Sequence, residues 1–210
     1  MLKHPNNPLL QTPTRPLPRH VAIIGAGSIG PDIGYYLKSA LPALQLTLID
    51  IDQGAIDAAL KRFADYAKKA LAKGKMSEAQ AAAVQQGVQG STDYDAIKDC
   101  DWVIEAATEN LALKRRIFAQ VEARVAMDAA ITSNTSSLPA ARIFAELKNP
   151  ERATMTHFLA PAWGSPAVIA RCGLEPLAPT TDPCVVVDGV DWVLRTLSDG
   201  ASATTYGRDP

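Results

Sequence analysis

The chain has 210 residues, 47% hydrophobic and 20% charged, enough for one generous domain or one domain and part of a second. That composition excludes wholesale disorder, and a net charge of −1 offers no general attraction for nucleic acid or an anionic membrane surface. No apolar run approaches the roughly 18–20 residues of a membrane span. Three cysteines (Cys100, Cys172, Cys184) without a CxxC pair imply neither a disulfide framework nor a zinc site, so a reducing cytoplasm is the expected compartment.

Residues 1–19 read as a proline-stiffened arm, with no apolar segment of the kind a secretory signal needs. Order is expected from His20. Val21–Ile24 is a short, unalternating apolar run, the pattern of a strand covered on both faces. Glycines follow at once, then a helical stretch through Leu37 that Pro42 stops, then a second strand, Leu44–Asp50. Strand, glycine turn, helix and strand make a βαβ unit. Ile56, Leu60, Phe63, Ala67 and Leu71 then mark the apolar stripe of a long helix ended by Gly74. Ser77 with Gln80 predicts a capping box at the start of a second, alanine-rich helix. The pair reads as a helical hairpin inserted between strands. Its outer face carries Lys61, Arg62, Lys68, Lys69, Lys73 and Lys75. These are either a solvated face or a contact for the phosphates of a large ligand.

Strands are expected again at Val88–Ser91, Asp101–Ala107, Ala129–Asn134 and Thr154–Phe158. Leu113, Ile117, Val121 and Val125 give the stripe of an intervening helix. The alternation predicts an α/β fold, a Rossmann-type doubly wound parallel sheet with an inserted helical hairpin, over residues 20–168. From Ala170 onward Lys, Ile, Asn, Gln, Met, Phe and His vanish, so 169–210 reads as an atypical tail with one helix near Pro183–Leu197.

Gly25-Ala26-Gly27-Ser28-Ile29-Gly30 is a GxGxxG motif that follows a buried strand and opens a helix, the context of a dinucleotide site. Gly25 permits the tight turn, Gly27 lets the backbone approach a pyrophosphate, and Gly30 permits close helix–strand packing. The helix N-terminus offers unpaired N–H groups to phosphates. Asp50 stands 20 residues after Gly30 at a strand end, where an acid accepts the ribose hydroxyls and repels a 2′-phosphate. The cofactor is therefore expected to be NAD. Asp52, beyond the strand end, is the lesser candidate. Pro31 is tolerated in a first helical turn, but Asp32 puts a negative charge near the phosphate site.

Three further segments follow in order: an EA-x-x-EN-x-x-x-K run from Glu105 to Lys114, SNTSSL from Ser133 to Leu138, and HF-x-x-P from His157 to Pro161. With the glycine motif they make the chain resemble the NAD-binding domain of the 3-hydroxyacyl-CoA dehydrogenases, from about Val21 to about Pro161. The resemblance implies hydride transfer between NAD and a 3-hydroxyacyl-CoA in fatty-acid metabolism. It places Glu109 and Lys114 on the nicotinamide side of the cofactor, gives Ser136 the substrate's 3-oxygen and makes His157 the catalytic base. Asn134, beside Ser136, is a cofactor-side positioning residue. The residue types suit the task, since imidazole exchanges a proton near neutrality and a serine hydroxyl can hold an oxygen in line. Away from this context, His157 would read as a satisfied strand-end histidine and Ser136 as a turn cap.

The sequence also departs from the family. Ala160 stands where the family has an asparagine at the nicotinamide. Ile169 stands where it pairs the histidine with a glutamate, and Glu175 is off register. Family members continue into a helical C-terminal domain that forms dimers and closes over the acyl-CoA. The expectation is therefore of a truncated or frame-shifted product lacking that domain, working with an acyl-CoA-type substrate and with a separate helical domain or a homodimer partner. Two other readings stay open: a catalytically inactive NAD-binding module or half of a split enzyme, and a dehydrogenase of the same superfamily acting on another hydroxy acid.

Overall fold

Six strands form one parallel sheet: β1 (His20–Ile24), β2 (Gln45–Ile49), β3 (Val88–Ser91), β4 (Trp102–Glu105), β5 (Ala130–Ser133) and β6 (Ala153–Met155). Their spatial order is β3-β2-β1-β4-β5-β6, the doubly wound arrangement that reverses direction between β1 and β4. The computed structural model describes residues 16–158. Of these, Pro18–His157 form one compact unit, and the chain's other unit lies almost wholly outside the described residues. The bulk of the proline-rich arm, Cys172, Cys184, Ala160, Ile169, Glu175 and the helix expected near Pro183–Leu197 also fall outside them.

The apolar runs sit where their lack of alternation placed them. Val21, Ala22 and Ile23 are fully buried, as are Leu46, Leu48, Val103, Ile104 and Ile131, because helices cover both faces of the sheet. Helix α1 (Gly30–Ala40) follows the glycine turn, and α2 (Gln53–Ala72) with α3 (Glu78–Ala83) forms the inserted hairpin. Helix α4 (Leu111–Glu122) joins β4 to β5, and a single helical turn, α5 (Ala140–Ile143), stands between β5 and β6. A T-shaped pair, Phe118 and Phe144, with ring centroids 4.9 Å apart, packs in the core beneath β4 and β5.

Three expectations are corrected. The stripe of α2 buries Ile56, Ala59, Phe63 and Ala67, while Leu71 is 39% exposed. Burial of the stripe therefore ends at Ala67, one turn before Leu71. The strand expected over Thr154–Phe158 is only Ala153–Met155, which leaves His157 beyond the strand end. Arg62 does not belong with the solvated face and turns inward, as described below.

The hairpin turn is built as its sequence dictates. Gly74 closes α2 with φ of +64°, and Ser77 and Gln80 form the reciprocal capping box of α3. Ser77→Ala is expected to cost about 1 kcal/mol, read as a lower urea midpoint at unchanged slope.

Candidate active site

Every segment with chemistry emerges at the carboxyl edge of the sheet, where doubly wound folds bind ligands at the reversal of strand order. The loop after β1 carries the glycine motif. Gly25 has φ of +112°, and its amide donates to the Ile49 carbonyl across the sheet at 2.7 Å. A Cβ on Gly30 would stand 1.9 Å from the Gly25 carbonyl oxygen, so the loop folds directly onto the start of α1. Above Gly27 the space is open: an added Cβ would meet nothing within 4 Å. Ile29, which precedes α1, supplies no side-chain cap; Pro31 has no amide hydrogen and the Asp32 and Ile33 amides donate to the Ile29 carbonyl at 3.1 and 3.0 Å, so the loop around Gly27 and Ser28, rather than the first turn of the helix, is what a ligand can meet. Open space over an exposed Gly27 and Ser28 fits a dinucleotide pyrophosphate.

Asp50 follows β2 and fixes the loop. Its Oδ2 accepts from the Ala26 amide at 2.8 Å, and its Oδ1 accepts from the Asp52 amide at 3.1 Å. Asp52 is spent as the cap of α2, accepting from the Gly54 amide at 2.8 Å. This division leaves Asp50 as the carboxylate beside the glycine loop.

The ends of β4 and β5 carry a polar network that sequence reading only half disclosed. Glu105 is fully buried at the last position of β4, in register with Ile24 and Ser133. Its carboxylate accepts from Lys114 Nζ at 2.6 Å, from the Ala107 amide at 2.7 Å and from Ser133 Oγ at 2.5 Å. Lys114, expected on the nicotinamide side of the cofactor, is itself buried, with 1% of its side chain exposed. Its ammonium also reaches Glu109 Oε2 at 3.3 Å and the Ala107 carbonyl at 3.2 Å. Glu105 stood inside the quoted motif, but a strand-end glutamate carries no mark of burial. Lys114, nine residues on, was the signal that it needed a partner.

Glu109 links this network to the next loop. Its carboxylate accepts from Thr135 Oγ1, from Ser137 Oγ at 2.9 Å and from the Ser137 amide at 3.2 Å. It therefore grips both neighbours of Ser136. Burial alone would raise the Glu109 carboxyl, but the Thr135 and Ser137 hydroxyls, the Ser137 amide and the Lys114 ammonium outweigh it and hold the group at about 2. A carboxyl depressed in the folded state stabilises the fold above its ordinary value of 4.5, and that contribution is lost as pH falls to about 2. Glu109→Gln should accordingly flatten the loss of stability between pH 4.5 and about 2, measured as urea midpoints across that interval.

Ser136 and His157 come together although they are 21 residues apart. Ser136 Oγ and His157 Nε2 lie 2.9 Å apart, both exposed at the sheet edge. Parallel pairing of β5 with β6 brings the two loops side by side, and the Thr156 amide extends the ladder by donating to the Ser133 carbonyl at 3.0 Å. Asn134, next to Ser136, donates its amide to the Glu105 carbonyl at 2.7 Å and is half-buried. The arrangement places a hydrogen-bonding hydroxyl and a proton-exchanging imidazole at one accessible point. That is the minimum needed to hold and deprotonate an alcohol.

The family model for the 3-hydroxyacyl-CoA dehydrogenase NAD-binding domain matches residues 20–169. The chain belongs to this family. It is 33% identical over 146 residues to the fatty acid oxidation complex subunit alpha of Idiomarina loihiensis, a match covering 70% of this chain and 20% of that protein. The crystal structure of (S)-3-hydroxybutyryl-CoA dehydrogenase from Ralstonia eutropha is 33% identical with a TM-score of 0.66, over 70% of this chain and 52% of that one. That of 3-hydroxybutyryl-CoA dehydrogenase from Escherichia coli is 28% identical with a TM-score of 0.68, over 89% and 38%. The chain thus spans a fifth of the curated relative and about half or less of these two solved ones. As in the family, the cofactor of this domain is NAD. Among the described residues no helix is long and apolar enough to cross a membrane.

Proposed function

We propose that the chain, over residues 20–168, carries the cofactor half of an oxidoreductase acting between NAD and a 3-hydroxyacyl-CoA. The observation that carries this reading is the 2.9 Å contact between Ser136 Oγ and His157 Nε2 at the sheet edge that also bears the glycine loop. Bound NAD would supply the hydride acceptor for the alcohol carbon. With the imidazole proton on Nδ1, Nε2 has the lone pair that faces Ser136 and takes the hydroxyl proton. Ser136 holds the substrate's 3-oxygen in line with that nitrogen. Gly25, Ala26, Gly27, Ser28, Ile29 and Gly30 hold the pyrophosphate, and Asp50 holds the adenine ribose. Glu109 and Asn134 border the nicotinamide side, and Lys114 acts there by anchoring Glu109 from beneath. The substrate class follows from the relatives, whose names specify 3-hydroxybutyryl-CoA and fatty acid oxidation. A reducing cytoplasm suits Cys100, a buried free thiol held up to about 12 mainly by burial.

A second reading, a cofactor module that needs a separate helical domain or a partner copy for turnover, is favoured by Ala160 and Ile169. Both occupy positions where the resemblance implies polar side chains at the reacting groups. NAD titration of the full chain, followed by reduction of acetoacetyl-CoA with NADH, separates the two. Turnover that His157→Ala removes supports the first reading. NAD binding without turnover supports the second, and absence of NAD binding defeats both.

A further inference from the structure

Asp32 is the anomaly of the cofactor site. It lies in the first turn of α1, with Pro31 before it, and so sets a carboxylate beside the glycine loop proposed to receive the pyrophosphate. Alone it would favour the helix and repel the ligand. The structure supplies an answer from 30 residues away. Arg62 of α2 extends one guanidinium nitrogen, Nη1, to three acceptors: the Ser28 carbonyl at 2.9 Å, the Gly27 carbonyl at 3.4 Å and Asp32 Oδ1 at 3.5 Å. The Tyr66 hydroxyl, one turn further along α2, donates to the same Asp32 oxygen at 2.9 Å. Tyr66 is set by a T-shaped contact with Tyr35 of α1, ring centroids 5.1 Å apart. The Tyr66 phenol is raised from its ordinary value, first by burial and then by its hydrogen bond to Asp32, so it remains a donor.

We propose that Arg62 is a cofactor-positioning residue: it cancels the charge of Asp32 at the rim of the dinucleotide site and ties the glycine loop to the inserted hairpin. Arg62 and Asp32 are each partly exposed, at 32% and 24%, so the pair adds little to stability by itself. Its consequence is electrostatic. Without Arg62, the Asp32 carboxylate keeps only the neutral Tyr66 donor and carries its full charge in the first turn of α1, beside the loop proposed to hold the doubly charged pyrophosphate. The Gly27 and Ser28 carbonyls also lose the donor that links them to α2, leaving the exposed loop less ordered.

The test is a double-mutant cycle read by NAD binding to the full chain, which is independent of turnover. Arg62→Gln should weaken NAD about tenfold at low salt, and less at high salt, where screening shortens the reach of Asp32. Asp32→Asn alone should stay within about twofold of the parent. Arg62→Gln combined with Asp32→Asn should recover to within about threefold, because the charge to be cancelled is gone. An unchanged affinity in Arg62→Gln overturns the proposal. So does a defect of the same size in the Asp32→Asn background, which would leave no share of it to cancelling the Asp32 charge. Tyr66→Phe removes a donor from the same carboxylate without touching the loop. It should weaken NAD two- to threefold when Asp32 is present and not at all in Asp32→Asn, and equal effects in both backgrounds likewise overturn the proposal.

Discussion

Lys114→Met is expected to destabilise the chain by about 3–5 kcal/mol, a large fraction of the stability of any single domain. The reason is Glu105. Its carboxylate is fully buried at the end of β4, and Lys114 is its counter-charge at 2.6 Å. Methionine fills nearly the same volume, so lost packing is a minor term; the cost is a buried anion left without compensation. The Ala107 amide and the Ser133 hydroxyl still donate to Glu105, which keeps the cost finite. Removing the charge as well should separate the two contributions. Lys114→Met with Glu105→Gln keeps acceptors for those donors and is expected to recover about half of the loss. Urea denaturation of the parent and the two variants measures this. A single variant within 1 kcal/mol of the parent would show that Glu105 takes up a proton or finds water instead. The same substitution should also loosen Glu109, which depends on Lys114 at 3.3 Å, and through it the residues flanking Ser136.

The sheet was legible in the sequence because burial on both faces removes alternation. Val21–Ile24 and Trp102–Ile104 could be nothing but covered strands or stretches of buried helix, and the glycine motif decided between them. The hairpin was legible for a different reason. Its turn is made of local chemistry, a left-handed Gly74 and a capping box, that no distant contact can override. What escaped was whatever depends on partners far along the chain. Arg62 sits in a row of basic residues, and the two carbonyls and the carboxylate it binds are 30 to 35 positions away. Glu105 reads as the polar end of a strand until Lys114 is seen folded beneath it. The pairing of Ser136 with His157 required β5 and β6 to be neighbours, which strand spacing suggests but does not determine. The helix stripe failed at Leu71 because periodicity marks a face and not how far along the helix that face stays covered.

In the proposed reaction, His157→Ala is expected to lower kcat by about 10²–10⁴-fold, the usual contribution of a positioned general base. NAD affinity should stay within about twofold, since the glycine loop and Asp50 emerge from β1 and β2 on the opposite flank of β4 and β5. A loss in kcat and kcat/KM together marks an interaction made in the transition state, whereas a rise in KM alone would make His157 a binding residue. Ser136→Ala should lose less, because the imidazole can still take the proton while the substrate oxygen loses one of its two partners. Since the two side chains share a 2.9 Å contact, they act as a unit, and the double variant should be little worse than His157→Ala alone. Additive losses would mean that serine and histidine serve separate steps. Stopped-flow measurement of NADH formation across pH completes the assignment. The base must be unprotonated for oxidation, so a limb of the profile that rises with pH in the parent and is absent from His157→Ala assigns the proton to His157. For reduction of acetoacetyl-CoA the protonated imidazole is required, and the same limb should run in the opposite sense. A limb that survives the loss of His157 would assign the proton to another group.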